Sequence, residues 1–355
     1  MLYRTVTNPL RHTNQSWRRG RSNCSVDTSR NMRRDKHSTA SQSNREDRSR
    51  SPINNSSFPS SSTSSSDHYS KPDTNTNTVF RRAFKYYKKR DPRPDLSEVI
   101  EPRLMEGRMI DNCSSVTNDS FSSLGLRPLS EWKVITFPDR VGLYLLPDLL
   151  TPSGHSEWIR HGLEYSMDGN NKTNIALHSD EPLVLFLRLL SYCFDSTLKL
   201  IPFSLTVQSD FRSLRWTTLG IHYDWATKEY PSSGHPLPSE LSSLASIVVS
   251  ALGLQEIKAD TTIVNYYPPK STLSPHVDRS ERTHRIPLVS LSVGRPAIYL
   301  TGGRSLDDPV LPILLQSGDV LVMDGDQRLV YHAVPAILPP GERKGPLEEE
   351  REREE

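Results

Sequence analysis

The sequence predicts a mainly β, α+β fold: a double-sheet β domain flanked by helices, behind a disordered N-terminal region. Three observations carry this. From Ala259 onward the hydrophobic period is two, in six short runs parted by Gly, Pro and Asp turns. Ahead of them lie stretches whose apolar residues recur at helical spacing. The first 78 residues have neither period. The whole chain has 355 residues, only 34% of them hydrophobic, and a mean hydropathy of −0.57. That is low for a chain folded throughout. No apolar run reaches the ~18 residues of a membrane span, so no membrane partner is expected. Cys24, Cys113 and Cys193 lie far apart. Neither a disulfide framework nor a thiolate zinc site is expected, and a reducing compartment is the simpler reading.

Residues 1–78 form the disordered segment. Thirteen of the thirty residues from Ser41 to Ser70 are Ser, too little apolar surface to offset the entropy of ordering. Residues 1–50 carry twelve Arg/Lys against four Asp/Glu, a net of +8. The first forty, Arg-rich and acid-poor, fit a mitochondrial transit peptide or a solvated basic tail. "WRRGR" (Trp17–Arg21) also reads as a nuclear signal. Residues 79–130 hold a helix and linker. "TVFRRAFKYYKKR" puts Phe80, Phe84 and Tyr87 on one stripe of a basic helix, ended by Pro92 and Pro94.

The domain proper spans residues 131–340. "VGLYLLPDLL" (Val141–Leu150) is strand-like. "EPLVLFLRLLSYCF" (Glu181–Phe194) reads as a buried helix with Asp180 as N-cap and Pro182 in its first turn. "LPSELSSLASIVVSALG" is the clearest helix, and Gly253 stops it. The strand candidates follow: "ADTTIVNYY", "IPLVSLSV", "PAIYLTG", "VLPILLQ", "GDVLVMDG" and "RLVYHAVP". Residues 341–355 are a charged tail with seven Glu and four Arg/Lys, net −3.

His276 and Asp278 are two apart, so on extended backbone their side chains share a side. His332 follows 54 positions after Asp278 on a later strand candidate. Two His and one carboxylate with open positions suit a non-haem Fe(II) oxygenase site, and zinc tolerates the same set. Spacing alone does not decide, since His222 and Asp224 share it, and His235 and His284 are further histidines.

The context of these residues is more specific. "ADTTIVNYY", then "HVD", then "PLVSLSVGRPAIYLTGG", then "SGDVLVMDGDQRLVYHAVP" resembles the AlkB family of Fe(II)/2-oxoglutarate dioxygenases, in the branch of AlkB homologue one. The resemblance runs from about Phe80 to Pro339, through "FPDRVGLYLLPD" and "LRWTTLGIHYDW". It implies a double-stranded β-helix (jelly-roll) core. It implies His276, Asp278 and His332 as iron ligands, Asn265 and Tyr267 at 2-oxoglutarate, and Trp216 and Tyr223 at the substrate base. Tyr266, alternating with Asn265 and Tyr267, is expected in packing.

The implied activity is oxidative demethylation of N-methylated bases in tRNA or DNA. It uses Fe(II), 2-oxoglutarate and O2, and releases formaldehyde, succinate and carbon dioxide. A monomer, in mitochondria and/or in nucleus and cytoplasm, is expected. The alternatives are a catalytically impaired nucleic-acid-binding protein on the same fold, or a 2-oxoglutarate-dependent protein hydroxylase. One departure bears on this choice. The family carries Arg-x-Asn-x-Thr-x-Arg on a strand after the last histidine, where an arginine meets the distal carboxylate of 2-oxoglutarate. Here "PGERKGPLEEEREREE" follows Pro339. A truncation is expected, and with it poor use of 2-oxoglutarate.

Overall fold

Alternating apolar residues give the central strands two buried faces, and each face is covered by a separate layer. The computed structural model describes residues 1–6, 77–110, 118–176, 212–224 and 226–339. The helix expected over 181–194 and the tail 341–355 lie outside them.

In chain order the elements are β1 (Leu2–Val6), α1 (Val79–Lys88), β2 (Arg108–Met109), α2 (Asn118–Ser123), β3 (Lys133–Thr136) and β4 (Leu143–Leu146). Then come α3 (Pro152–Met167), β5 (Lys172–Thr173), β6 (Trp216–Gly220) and α4 (Ser239–Ala251). The six expected strands follow as β7 (Thr261–Asn265), β9 (Leu288–Ser292), β10 (Ala297–Thr301), β11 (Leu311–Leu315), β12 (Val320–Met323) and β13 (His332–Ile337). β8 (Leu273–His276) lies between β7 and β9 in sequence.

Among the described residues these strands form two sheets. One has nine strands in the order β2-β3-β4-β12-β9-β1-β7-β6-β5, and the other has four, β11-β10-β13-β8. On the large sheet Leu145, Leu288 and Leu321 face the small sheet, meeting Tyr299, Ile313 and Leu315. The alternate residues Leu219, Val264, Val289 and Val322 pack with Trp158 of α3 and Leu241, Leu244 and Val248 of α4. Behind the small sheet, Phe80 and Tyr87 of α1 pack on Ile298, Leu300 and Ala333. This is the jelly-roll sandwich flanked by helices.

Local signals account for most boundaries. Thr78 caps α1, its Oγ1 accepting from the Arg81 N–H. Gly253 ends α4 at φ +67°, and the Leu254 N–H reaches back to the Val249 carbonyl. α3 carries no clear apolar stripe and contains two glycines, so no helix was predicted there. Gly154 is required by tertiary packing: a Cβ would sit 2.2 Å from the Gly125 carbonyl oxygen. Gly318 turns the chain at φ +89°, and the next residue, Asp319, is an anchor. Its buried carboxylate accepts from Arg103, the Gln316 N–H and the Asp148 N–H.

The prediction of disorder for residues 1–78 fails at its start. Leu2–Val6 form β1, antiparallel to β7 on one side and β9 on the other. Leu2 pairs with Asn265 and Ser292, and Thr5 with Thr262 and Val289. Five residues are too few to show a period, and the two edges that hold them lie more than 250 positions away. Residues 7–76 lie outside the described set.

Candidate metal centre and substrate cavity

β8 and β13 are paired so that His276 and His332 are register partners. Their rings lie 4.3 Å apart. The chain leaves β8 extended, which brings Asp278 back beside both. His276 Nε2 is 3.6 Å from Asp278 Oδ1, and His332 Nε2 is 3.3 Å from Oδ2. Donor atoms of all three lie within 4.8 Å of one another. Each imidazole is fixed from behind: Nδ1 of His276 meets the Ser274 carbonyl at 2.8 Å, and Nδ1 of His332 meets the Val330 carbonyl at 3.2 Å. With Nδ1–H donating, each Nε2 presents a lone pair towards the carboxylate. Tyr299 stacks on His332. Asp278 and His332 are buried while His276 is about one-third exposed, 33%, so the cluster opens on one side. Two imidazoles and one carboxylate with an open face fit Fe(II).

Asn265 ends β7, in register with Trp216 of β6. Tyr267, two residues on, is half-buried against the layer between the sheets. Tyr266 turns away: it packs with the helix-side core, and its hydroxyl donates to the Gly162 carbonyl. Burial pushes that phenol's pKa up. Trp216 and Tyr223 line one open cavity of about 650 Å³, shared with Lys172, His222, Glu229 and Tyr230. The Tyr223 hydroxyl lies 3.2 Å from Ser280 Oγ, two residues after Asp278, which ties the cavity wall to the metal cluster.

His222 and Asp224 share the spacing of His276 and Asp278 but have no metal geometry. His222 Nδ1 meets Thr218 Oγ1 at 2.9 Å, and Nε2 meets the Asn170 carbonyl at 3.0 Å. Asp224 Oδ1 accepts from the Ala226 and Thr227 N–H groups, which hold its pKa down. Sequence reasoning missed Tyr230 and Lys172 in the cavity, since "NNKT" and "KEYP" carry no signal. It also missed Glu281 and Arg328, a buried pair 3.6 Å apart. Arg328 Nε donates to the Ile286 carbonyl, so the pair pins the segment after Asp278 to the stretch before His332.

Comparison with known proteins agrees with this geometry. Residues 142–353 match the family described as the 2OG-Fe(II) oxygenase superfamily. The human protein named nucleic acid dioxygenase ALKBH1 is 32% identical over 286 residues, covering 75% of this chain and 72% of its own. The Schizosaccharomyces pombe tRNA demethylase abh1 is 34% identical over 274 residues, 74% of this chain and 85% of its own. The Arabidopsis thaliana DNA N(6)-methyladenine demethylase ALKBH1A is 30% identical over 299 residues, again 74% and 85%.

Proposed function

The chain belongs to the 2OG-Fe(II) oxygenase superfamily, and from that membership we propose that it oxidatively removes N-methyl groups from bases in tRNA or DNA. It is a dioxygenase of Fe(II), 2-oxoglutarate and O2. The chemistry supplied when these are bound is oxidation of an N-methyl carbon, with succinate, carbon dioxide and formaldehyde as products. His276, Asp278 and His332 would hold the iron, the two imidazoles oriented by the carbonyls of Ser274 and Val330. Asn265 and Tyr267 offer an amide and a phenol to 2-oxoglutarate. Trp216 and Tyr223 grip a base drawn out of its stack, where aromatic faces replace neighbouring bases. Lys172 at the cavity, the exposed Arg82, Lys85 and Lys88 of α1, and Lys89 just after it meet phosphate. The names of the human, fission yeast and Arabidopsis relatives support a nucleic-acid substrate. Action as a monomer in mitochondria, nucleus and cytoplasm belongs to the same reading, supported for mitochondria by the basic first forty residues.

The observation that carries the proposal is the His-Asp-His cluster beside a cavity walled by aromatic rings. Formaldehyde and succinate release measured with N-methylated RNA and DNA oligonucleotides tests it. Stoichiometric formaldehyde with restored base is expected, and its loss in Asp278→Ala. Hydroxylation of a peptide, with no formaldehyde from any methylated oligonucleotide, overturns the reading in favour of a protein hydroxylase.

A further inference from the structure

We propose that the buried pair Glu281–Arg328 is a positioning device that couples the substrate cavity to the metal cluster, so that oxygen is spent on a seated base. The inference deepens the demethylase reading of the site and rests on it.

One short stretch, Asp278–Arg282, touches both the metal cluster and the cavity wall. Asp278 stands beside the imidazoles of His276 and His332. Ser280 Oγ meets the Tyr223 hydroxyl at 3.2 Å. Arg282 donates from Nη2 to the Tyr230 carbonyl at 3.1 Å. The Tyr223 and Tyr230 rings lie 5.1 Å apart, and both residues line the cavity. Between these contacts, Glu281 turns inward to Arg328. Arg328 lies four residues before His332, and its Nε donates to the Ile286 carbonyl at 2.9 Å. The pair therefore ties the stretch that bears Asp278 and both cavity contacts to the segment that bears His332.

Stability does not explain the pair. Arg328 is 1% exposed and Glu281 7%, and 3.6 Å separates Arg328 Nη2 from Glu281 Oε2. Neither terminal nitrogen of Arg328, nor that carboxylate oxygen, has a hydrogen-bond partner among the described residues. Desolvating two charges for a contact without hydrogen bonds brings little net gain, and apolar side chains of similar volume would fill the same space as well. What two opposite charges add is direction. Each fixes where the other sits, and the backbone from Asp278 to Arg282 is set with them. A base pressed against Tyr223 and Tyr230 then meets a wall whose spacing to both metal-side histidines is already fixed.

The test compares the full wild-type chain with the apolar double variant Glu281→Leu/Arg328→Met, both with Fe(II) and 2-oxoglutarate. Removing both charges together leaves neither uncompensated, so the double variant is expected to melt at or above the wild-type midpoint. Succinate and formaldehyde are counted with an N-methylated oligonucleotide. The wild type is expected to release the two in equal amounts. The double variant is expected to bind the oligonucleotide within about threefold of the wild type, yet to lose roughly tenfold or more in formaldehyde per succinate, because the base is held but not aligned. A second readout needs no turnover. Under anaerobic conditions the oligonucleotide is expected to shift the visible absorbance of the 2-oxoglutarate complex in the wild type and to leave it unmoved in the double variant. A double variant with equal release and the wild-type shift overturns the proposal, leaving the pair a replaceable core contact. Loss of iron or of oligonucleotide binding overturns it too, since the pair then builds the site rather than aligning it. Should the double variant fail to fold, Glu281→Asp is read instead, because it keeps the charge and shortens the reach. A lowered formaldehyde yield per succinate then supports the role and an unchanged one overturns it. A wild type that releases no formaldehyde from any methylated oligonucleotide overturns the demethylase reading, and the coupling falls with it.

Discussion

His222 and His276 each precede a carboxylate by two residues, yet their ring nitrogens have different neighbours. Both nitrogens of His222 are taken, by Thr218 and Asn170. His276 has one nitrogen on a carbonyl and the other beside Asp278. His276→Ala and His332→Ala are therefore expected to weaken iron binding by at least about a hundredfold, more than a lost supporting contact costs. His222→Ala should leave bound iron unchanged. Metal content of anaerobically purified protein checks this, and stoichiometric iron in both ligand variants would exclude the assignment. His222 also predicts a pH effect. Burial, aided by Lys172 and His235, lowers its pKa below the ordinary 6.5. The unfolded chain then takes up a proton before the folded one does. Stability from this residue is complete above pH ~6.5 and falls as pH drops through the folded value. Chemical unfolding at pH 7.5 and 5.5 should show a larger loss in the wild type than in His222→Gln, and equal losses contradict it.

At the scale of elements, β1 and α1 contrast. The stripe Phe80, Phe84 and Tyr87 announces α1, because a helix writes its buried face at three- and four-residue intervals. β1 is held by hydrogen bonds to two distant strands, a pattern independent of side-chain type. Thr5→Pro removes a donor from the centre of a sheet and orphans an acceptor. A cost of about 3 kcal/mol or more is expected, a fall of roughly 6–12 °C in melting temperature for a domain of this size. Calorimetry of the full chain measures it. An unchanged midpoint would mean that the large sheet is complete without Leu2–Val6.

For the whole molecule, the N-terminus cannot be both a cleaved leader and a central strand. Removal of the first forty residues would take β1 with it. A reporter fused to residues 1–40 is expected to reach mitochondria if the basic composition acts as an address. If the working enzyme keeps β1, mass spectrometry of the purified native protein should find Leu2–Val6 present, and a mature form starting after residue 40 would count against the strand's role. Residue order alone was enough for the six period-two strands between Thr261 and Ile337 other than β8, for α1 and α4, and for the pairing of His276 with Asp278. These depend on neighbours within a few positions, where backbone period and turn chemistry are written. Tertiary structure decided the rest. It separated His276 from His222 by what each nitrogen touches, and it placed Gly154 against Gly125. It also joined Glu281 to Arg328 and carried Leu2–Val6 to the middle of a sheet whose other strands lie over a hundred residues away. Such contacts join segments far apart in sequence, and no local period records which of them will meet.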